Sequence, residues 1–128
     1  MEFMSQEHVD TMNALLVDHP DVQAACGQLP RRHVLAYRLA DGPSGETVHW
    51  TVAFDRTVVF GLTEDPAADV VIVGDWRDMI AATVSGRTGE PREPRVSIEG
   101  DEGTLAVTAP ALSAARAVAT VPVDFPDI

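Results

Sequence analysis

The feature that most restricts this chain is a strict alternation between Thr47 and Asp55. Val48, Trp50, Val52 and Phe54 fall on one side of an extended segment, and Thr47, His49, Thr51 and Asp55 on the other. A period of two is a strand period, and a strand with one apolar and one polar face belongs to a sheet covered on a single side. The flanking segments fit the same sheet. Leu35, Tyr37 and Leu39 alternate with Val34, Ala36 and Arg38 before the Asp41-Gly42-Pro43-Ser44-Gly45 turn, and Asp55-Arg56 leads into Thr57-Val58-Val59-Phe60-Gly61-Leu62. Three strands joined this tightly form an antiparallel meander.

The remaining elements separate on their periods. Val9, Met12, Leu15 and Leu16 have helical spacing behind Ser5, a good N-cap, and Asp21 to Leu29 forms a short second helix before Pro30. Val70-Val71-Ile72-Val73 is a continuous β-branched run, expected near the middle of the sheet and buried on both faces. Asp75 caps a helix carrying Trp76, Met79, Ile80, Thr83 and Val84 on one face, which ends at Ser85-Gly86. Arg87 to Pro94 reads as an exposed loop and Val96-Ser97-Ile98 as a last strand. Leu105 and Val107 then sit in a short helix, and Pro110 opens another over Ala111 to Ala119.

A chain of 128 residues supports one core, so residues 4–128 are expected to form one domain, and Met1-Glu2-Phe3 ahead of Met4 reads as a cloning remnant. Twenty acidic residues against nine arginines give a net charge of −11, which repels nucleic acid and anionic lipid surfaces. No run approaches the roughly 18 apolar residues of a membrane span. The single cysteine, Cys26, excludes an internal disulfide, and no Cys/His spacing suggests a metal; no cofactor is expected, and the expected location is the cytoplasm.

Four pieces occur in a characteristic order: Trp50-Thr51-Val52-Ala53-Phe54-Asp55, Ala68-Asp69-Val70-Val71-Ile72, Met79-Ile80-Ala81-Ala82-Thr83-Val84-Ser85-Gly86 and Val96-Ser97-Ile98-Glu99-Gly100-Asp101. From Thr47 to Ala115 the chain thereby resembles the sterol carrier protein type 2 family, although none of the pieces is diagnostic alone. The resemblance implies an α+β fold, with a five-stranded, mostly antiparallel twisted sheet, helices packed on one face, and a tunnel between them for acyl chains, sterols or similar molecules. Two departures stand out. The N-terminal region up to Arg32 does not match, and Pro126-Asp127-Ile128 is not the tripeptide targeting signal of the peroxisomal members.

The candidate ligand-binding residues are Trp50, Phe54, Phe60, Trp76, Met79, Ile80, Val84 and Leu105. Periodicity alone leaves two readings open for them, a pocket lining or an ordinary core. Met79 and the small Ala81, Ala82, Ala106, Ala109 and Ala111 favour room over close filling. No catalytic residue is assigned. His49 falls on the polar strand face, and His8, His19 and His33 have no stronger case as bases. Asp75, Asp78 and Asp101 are explained as helix-start residues, and Cys26 as a buried thiol. Non-enzymatic binding or transfer of an apolar small molecule is therefore expected. An enzyme isomerising or cyclising a hydrophobic intermediate in the same pocket is the alternative, and an interaction module with an unidentified protein partner stands behind both.

Overall fold

The computed structural model describes residues 1–126. In chain order the elements are α1 (Gln6–Leu16), α2 (Pro20–Cys26), β1 (His33–Ala40), β2 (Val48–Phe54), β3 (Val58–Gly61), β4 (Val70–Asp75), α3 (Trp76–Arg87), β5 (Val96–Gly100) and α4 (Gly103–Ala119). The strands form one five-stranded sheet in the order β3-β2-β1-β4-β5, antiparallel except for the β1–β4 pair. The expected meander is present, with Leu35 opposite Val52 and Val52 opposite Phe60.

This register places Leu35, Tyr37, Leu39, Val52, Phe54, Val58, Phe60, Val70 and Ile72 on the same face, and the helices pack there. Two apolar clusters result. One joins the β2–β3 end of the sheet to Val9, Met12 and Leu16 of α1, Val22 and Cys26 of α2, and Ala111, Ala115 and Ala119 of α4. The other seats Trp76 and Ile80 of α3 on Leu39.

β4 lies near the middle of the sheet as expected, but the structure corrects the expected burial of Val70–Val73 on both faces. β1 is the central strand, β4 lies between it and the edge strand β5, and Val71 and Val73 are only half-buried. Because helices cover a single face, these β-branched residues serve strand conformation on the other face more than burial.

A second correction concerns Pro110. The two expected C-terminal helices are one, α4, with Pro110 inside it. Thr104, Thr108, Ala111, Ala115 and Ala119 are buried along one continuous stripe, and the packing of α4 against α1, α2 and the sheet outweighs the lost N–H. The Thr108 hydroxyl donates back to the Thr104 carbonyl at 2.7 Å within that stripe. Pro110 is exposed. Pro110→Ala is accordingly expected to raise the unfolding free energy by about 1–3 kcal/mol, somewhat less than the intrinsic proline penalty because the backbone has adapted to the ring. Urea denaturation measures this, and an unchanged midpoint would show that the adaptation recovers the whole penalty.

Polar bonds fix how the layers meet. Ser5 caps α1 by accepting from the His8 N–H, and Asp75 caps α3 by accepting from the Asp78 N–H at 3.1 Å. The Asn13 amide bonds Phe60 on both its N–H (2.8 Å) and its C=O (3.0 Å), so α1 satisfies part of the open edge of β3. Asp69 accepts the Val34 N–H at 2.8 Å and the Arg31 guanidinium at 3.0 Å, which locks the entry of β1 against that of β4. Gly100 lies beside it at φ +92°, where an added Cβ would meet the Asp69 carbonyl at 2.6 Å.

Residues 1–3, read from the sequence as lying outside the domain, run beside residues 124–125. The Phe3 N–H donates to the Asp124 carbonyl at 3.0 Å, and the Phe3 ring lies 4.9 Å from that of Phe125. The C-terminal tripeptide compared with a targeting signal includes residues 127 and 128, outside the described residues.

Candidate functional site

The sheet and helices do not close completely on one another. Between them lies a cavity of about 740 Å³, within the range of roughly 300–1,000 Å³ common for small-molecule sites. The sheet contributes Tyr37, Leu39, Trp50, Val52, Phe60 and Ile72, all on the helix-covered face. Met12 comes from α1, Met79, Ala82 and Thr83 from α3, and Leu112, Ala115 and Ala119 from α4. Met79, Ala82 and Thr83 share one side of α3 at three- and four-residue spacing, and Leu112, Ala115 and Ala119 do the same on α4. Alanines at these positions stop short of the sheet, and the space they leave is the cavity. The exposed lining residues Arg87, Arg92, Val96, Arg116 and Thr120 mark the side that opens to solvent.

Of the residues singled out from the sequence, Trp50, Phe60 and Met79 line this cavity. Phe54 is fully buried in the cluster that joins the sheet to α1, α2 and α4, and Leu105 packs against the same cluster. Trp76, Ile80 and Val84 belong to the contact between α3 and the sheet. Trp76 and Ile80 pack on Leu39, and Met79, which packs against the same cluster, also lines the cavity. His49 is on the uncovered sheet face, beside Thr51, Glu64 and Asp65 in a smaller depression. Cys26 is buried in the core, and burial first, then the Asp55 charge, pushes its thiol pKa up.

His8 was not assigned a role from the sequence, yet it is 1% exposed and lines the cavity. Its position was legible in the spacing, since His8, Met12 and Leu16 form an i, i+4, i+8 stripe along the buried side of α1. Nδ1 accepts the Met4 N–H at 3.0 Å, and Nε2 is buried without a partner. Burial pushes the His8 pKa below the ordinary histidine value, and the Arg87 charge pushes in the same direction, so the ring is held neutral. Tyr37 also lines the cavity, with its phenol pKa raised by burial against the opposing pull of Arg116. No group of three His, Cys, Asp or Glu side chains among the described residues is placed to hold a metal ion. No helix among them is long and apolar enough to cross a membrane.

Comparison with solved structures decides the architecture. A conserved hypothetical protein of Thermus thermophilus, described as possibly a sterol carrier protein, superposes with a TM-score of 0.65 at 18% identity, over 99% of this chain and 94% of its own. Sterol carrier protein 2 from Yarrowia lipolytica, in its apo form, matches with a TM-score of 0.52 at 14% identity, over 93% of this chain and 94% of that one. The fold is that of sterol carrier protein 2. A further sterol carrier protein 2 crystal structure agrees, with a TM-score of 0.50 at 16% identity, over 93% of this chain and 95% of the other. No protein-family model matches the sequence, and no curated protein matches it. The sterol carrier protein fold implied by the ordered pieces between Thr47 and Ala115 is thus present, although overall sequence likeness is low. The superposition extends through the N-terminal region as well, where the residues themselves gave no match.

Proposed function

We propose that this chain binds or carries an apolar or amphiphilic small molecule, of the lipid or acyl-chain kind, in the cavity between sheet and helices. The observation that supports it is the cavity itself, walled by Trp50, Phe60, Met79 and Leu112 inside a fold whose solved examples are described as sterol carrier proteins. Each methylene moved from water into such a site contributes about 0.8 kcal/mol before the cost of association. Ten carbons thus contribute about 8 kcal/mol, and with association costing about 4 kcal/mol or more, roughly fifteen carbons are needed for micromolar binding without a single polar bond.

A saturable, one-to-one rise in the emission of a fluorescent fatty acid is expected on titration into the protein. Energy transfer from tryptophan should accompany it, since Trp50 lines the cavity and Trp76 packs on Leu39 and Met79, which line it too. Met79→Trp, which adds bulk at the wall, should weaken binding at least tenfold with the fold retained by circular dichroism. Absence of saturable binding by every fatty acid, fatty alcohol and sterol probe would sink the carrier reading.

An enzyme acting on a hydrophobic intermediate needs a polar group inside the cavity, and His8 meets that condition. What it lacks is a partner. No carboxylate among the described residues lines the cavity, and the one bond to the His8 ring is the Met4 N–H on Nδ1. Recognition suits a neutral, unpaired imidazole better than proton transfer does. Mass spectrometry of a bound intermediate recovered after incubation separates the two, since a carrier returns it unchanged.

A further inference from the structure

The two edges of the sheet are treated differently. At β3 the Asn13 amide occupies both backbone groups of Phe60. At the other edge β5 pairs with β4 on one side and with no strand on the other, and Val96, Ser97, Ile98, Glu99 and Gly100 are all exposed. The usual guards of an open edge are missing from it. There is no lysine or proline between Val96 and Gly100, and the one charge, Glu99, is bonded to Arg38 of β1 at 2.6 Å. Val96 and Ile98 are large apolar side chains left 40% and 36% exposed. An edge of this kind accepts another strand through its unpaired backbone groups.

The charges at its two ends indicate which strand. Arg95 and Asp101 flank β5, both are exposed, and neither has an ion-pair partner among the described residues. Asp101 accepts the Gly103 N–H at 2.9 Å on one carboxylate oxygen, which leaves the other free. A strand that begins on a cation and ends on an anion is complementary to itself run in the opposite direction. A twofold axis normal to the sheet joins two copies edge to edge with both helix layers on the same side, and directly opposed residues then share a face, so the axis passes through a residue. Through Ile98 it sets Arg95 against Asp101 of the second copy at both ends, Ser97 against Glu99, and Val96 against Gly100. Through Glu99 it would oppose the two Glu99 carboxylates, and through Ser97 it would oppose Glu93 to Asp101 and bring Pro94 into the ladder. Through Val96 it would oppose Glu93 to Glu99, and through Gly100 it would oppose Glu99 to Asp101. Among the residues of β5, only Ile98 gives a register that opposes unlike charges and no like ones.

We propose that β5 is the seam of a homodimer, in which a second copy adds its own β5 antiparallel about Ile98 and the two five-stranded sheets become one. Ile98 then meets its counterpart at the axis with Val96 diagonal to it, so the two exposed apolar side chains of the strand cover each other. Each Glu99 lies between Arg38 of its own chain and, on the diagonal, Arg95 of the second copy. Val96 also lines the cavity, so both cavities open on one side of the joined sheet. The net charge of −11 on each chain does not prevent association, because distant charges are screened beyond about 8 Å at physiological salt, whereas Arg95 and Asp101 act at contact.

Sedimentation equilibrium of the full chain at physiological salt tests it. So short a seam makes a weak dimer, and the wild-type chain should pass reversibly from monomer to dimer around a concentration on the order of 100 µM. Arg95→Glu opposes two carboxylates at each end of the seam and Asp101→Arg opposes two guanidinium groups, so each variant alone should self-associate about fivefold more weakly or worse. Mixed in equal amounts, the two should associate with one another within about threefold of the wild type, because both ends of the seam then join opposite charges. Arg77→Glu makes the same change of net charge on an exposed residue of α3 and should leave self-association within about twofold of the wild type. If Asp101→Arg does not fold, Asp101→Asn keeps an acceptor for the Gly103 N–H and should weaken the dimer about threefold beside Arg95→Glu. A wild-type chain still monomeric at about 1 mM, an association untouched by Arg95→Glu, or a mixture of folded variants no tighter than either alone would overturn the proposal. None of these outcomes bears on the carrier reading.

Discussion

Phe54→Ala is expected to lower the unfolding free energy by about 3–5 kcal/mol while leaving the ligand affinity of the folded protein within about threefold of wild type. Phe54 is completely buried, opposite His33 on β1 and Val58 on β3, in the cluster where the sheet meets α1, α2 and α4. Truncation removes the transfer energy of a benzyl group and leaves a hole that the sheet register prevents from closing. Its neighbour moderates the loss. Both ring nitrogens of His33 are buried and unbonded, so water entering the hole finds a polar partner there, which places the cost toward the lower end of the range. Since a domain of this size is stable by only about 5–15 kcal/mol, the variant should be marginal at 37 °C. Guanidinium denaturation gives the stability, and probe binding at low temperature gives the affinity. Trp50→Ala should show the opposite pattern, with a large change in affinity and a smaller one in stability, because Trp50 is half-buried and already faces open space. A loss of binding in folded Phe54→Ala as great as that in Trp50→Ala would show that the two residues act on the ligand alike.

The second large effect belongs to Asp69. Asp69→Ala is expected to cost about 2–3 kcal/mol, because it strands the Val34 N–H at the start of the central strand and removes a charge-assisted bond. The Arg31 side of the interaction contributes little of this, since Arg31 is largely exposed. Burial by itself would raise the Asp69 pKa, but the Val34 N–H, the Arg31 guanidinium and the charge of His33 outweigh it, and the pKa lies below the ordinary aspartate value. The pH dependence follows from that sign. The folded protein holds its proton more weakly than the unfolded chain, so the stabilisation is complete above the unfolded carboxylate pKa of about 3.9 and is lost as pH falls through the lower folded value. The stability gap between wild type and Asp69→Ala should therefore be constant from about pH 5 to 8 and close in acid. Asp69→Asn, which keeps an acceptor for Val34 but carries no charge, should lose about half as much and show no such closing. An unchanged gap at pH 2 would contradict the assignment.

Most of the elements could be read from local periodicity because each is governed by neighbours in sequence. The alternation at Val48–Phe54 requires a one-sided strand wherever it is placed, Ser5 and Asp75 cap whatever helix follows them, and the short link at Asp55-Arg56 permits only an antiparallel partner. The two misreadings were of another kind. Pro110 breaks a helix judged by propensity, and Val70–Val73 suggests a strand buried on both faces judged by composition. Both were reversed by contacts distant in sequence, namely the continuous burial of α4 and the packing of the helices on a single face of the sheet.

The candidate site shows the same division more sharply. Trp50 and Phe54 lie on one strand face four residues apart and are indistinguishable by pattern, yet one lines the cavity and the other fills the core. The difference lies in what stands opposite each of them. Phe54 meets the first cluster where α1, α2 and α4 close on the sheet, while around Trp50 the alanines of α3 and α4 fall short of it. His8, Arg87 and Arg116 come together from three helices, with no sequence proximity to mark them. A hydrophobic pattern specifies that a side chain leaves water, because that depends on its own strand or helix. Whether it leaves water for a neighbour or for a ligand depends on distances between elements, and those are set only when sheet and helices pack.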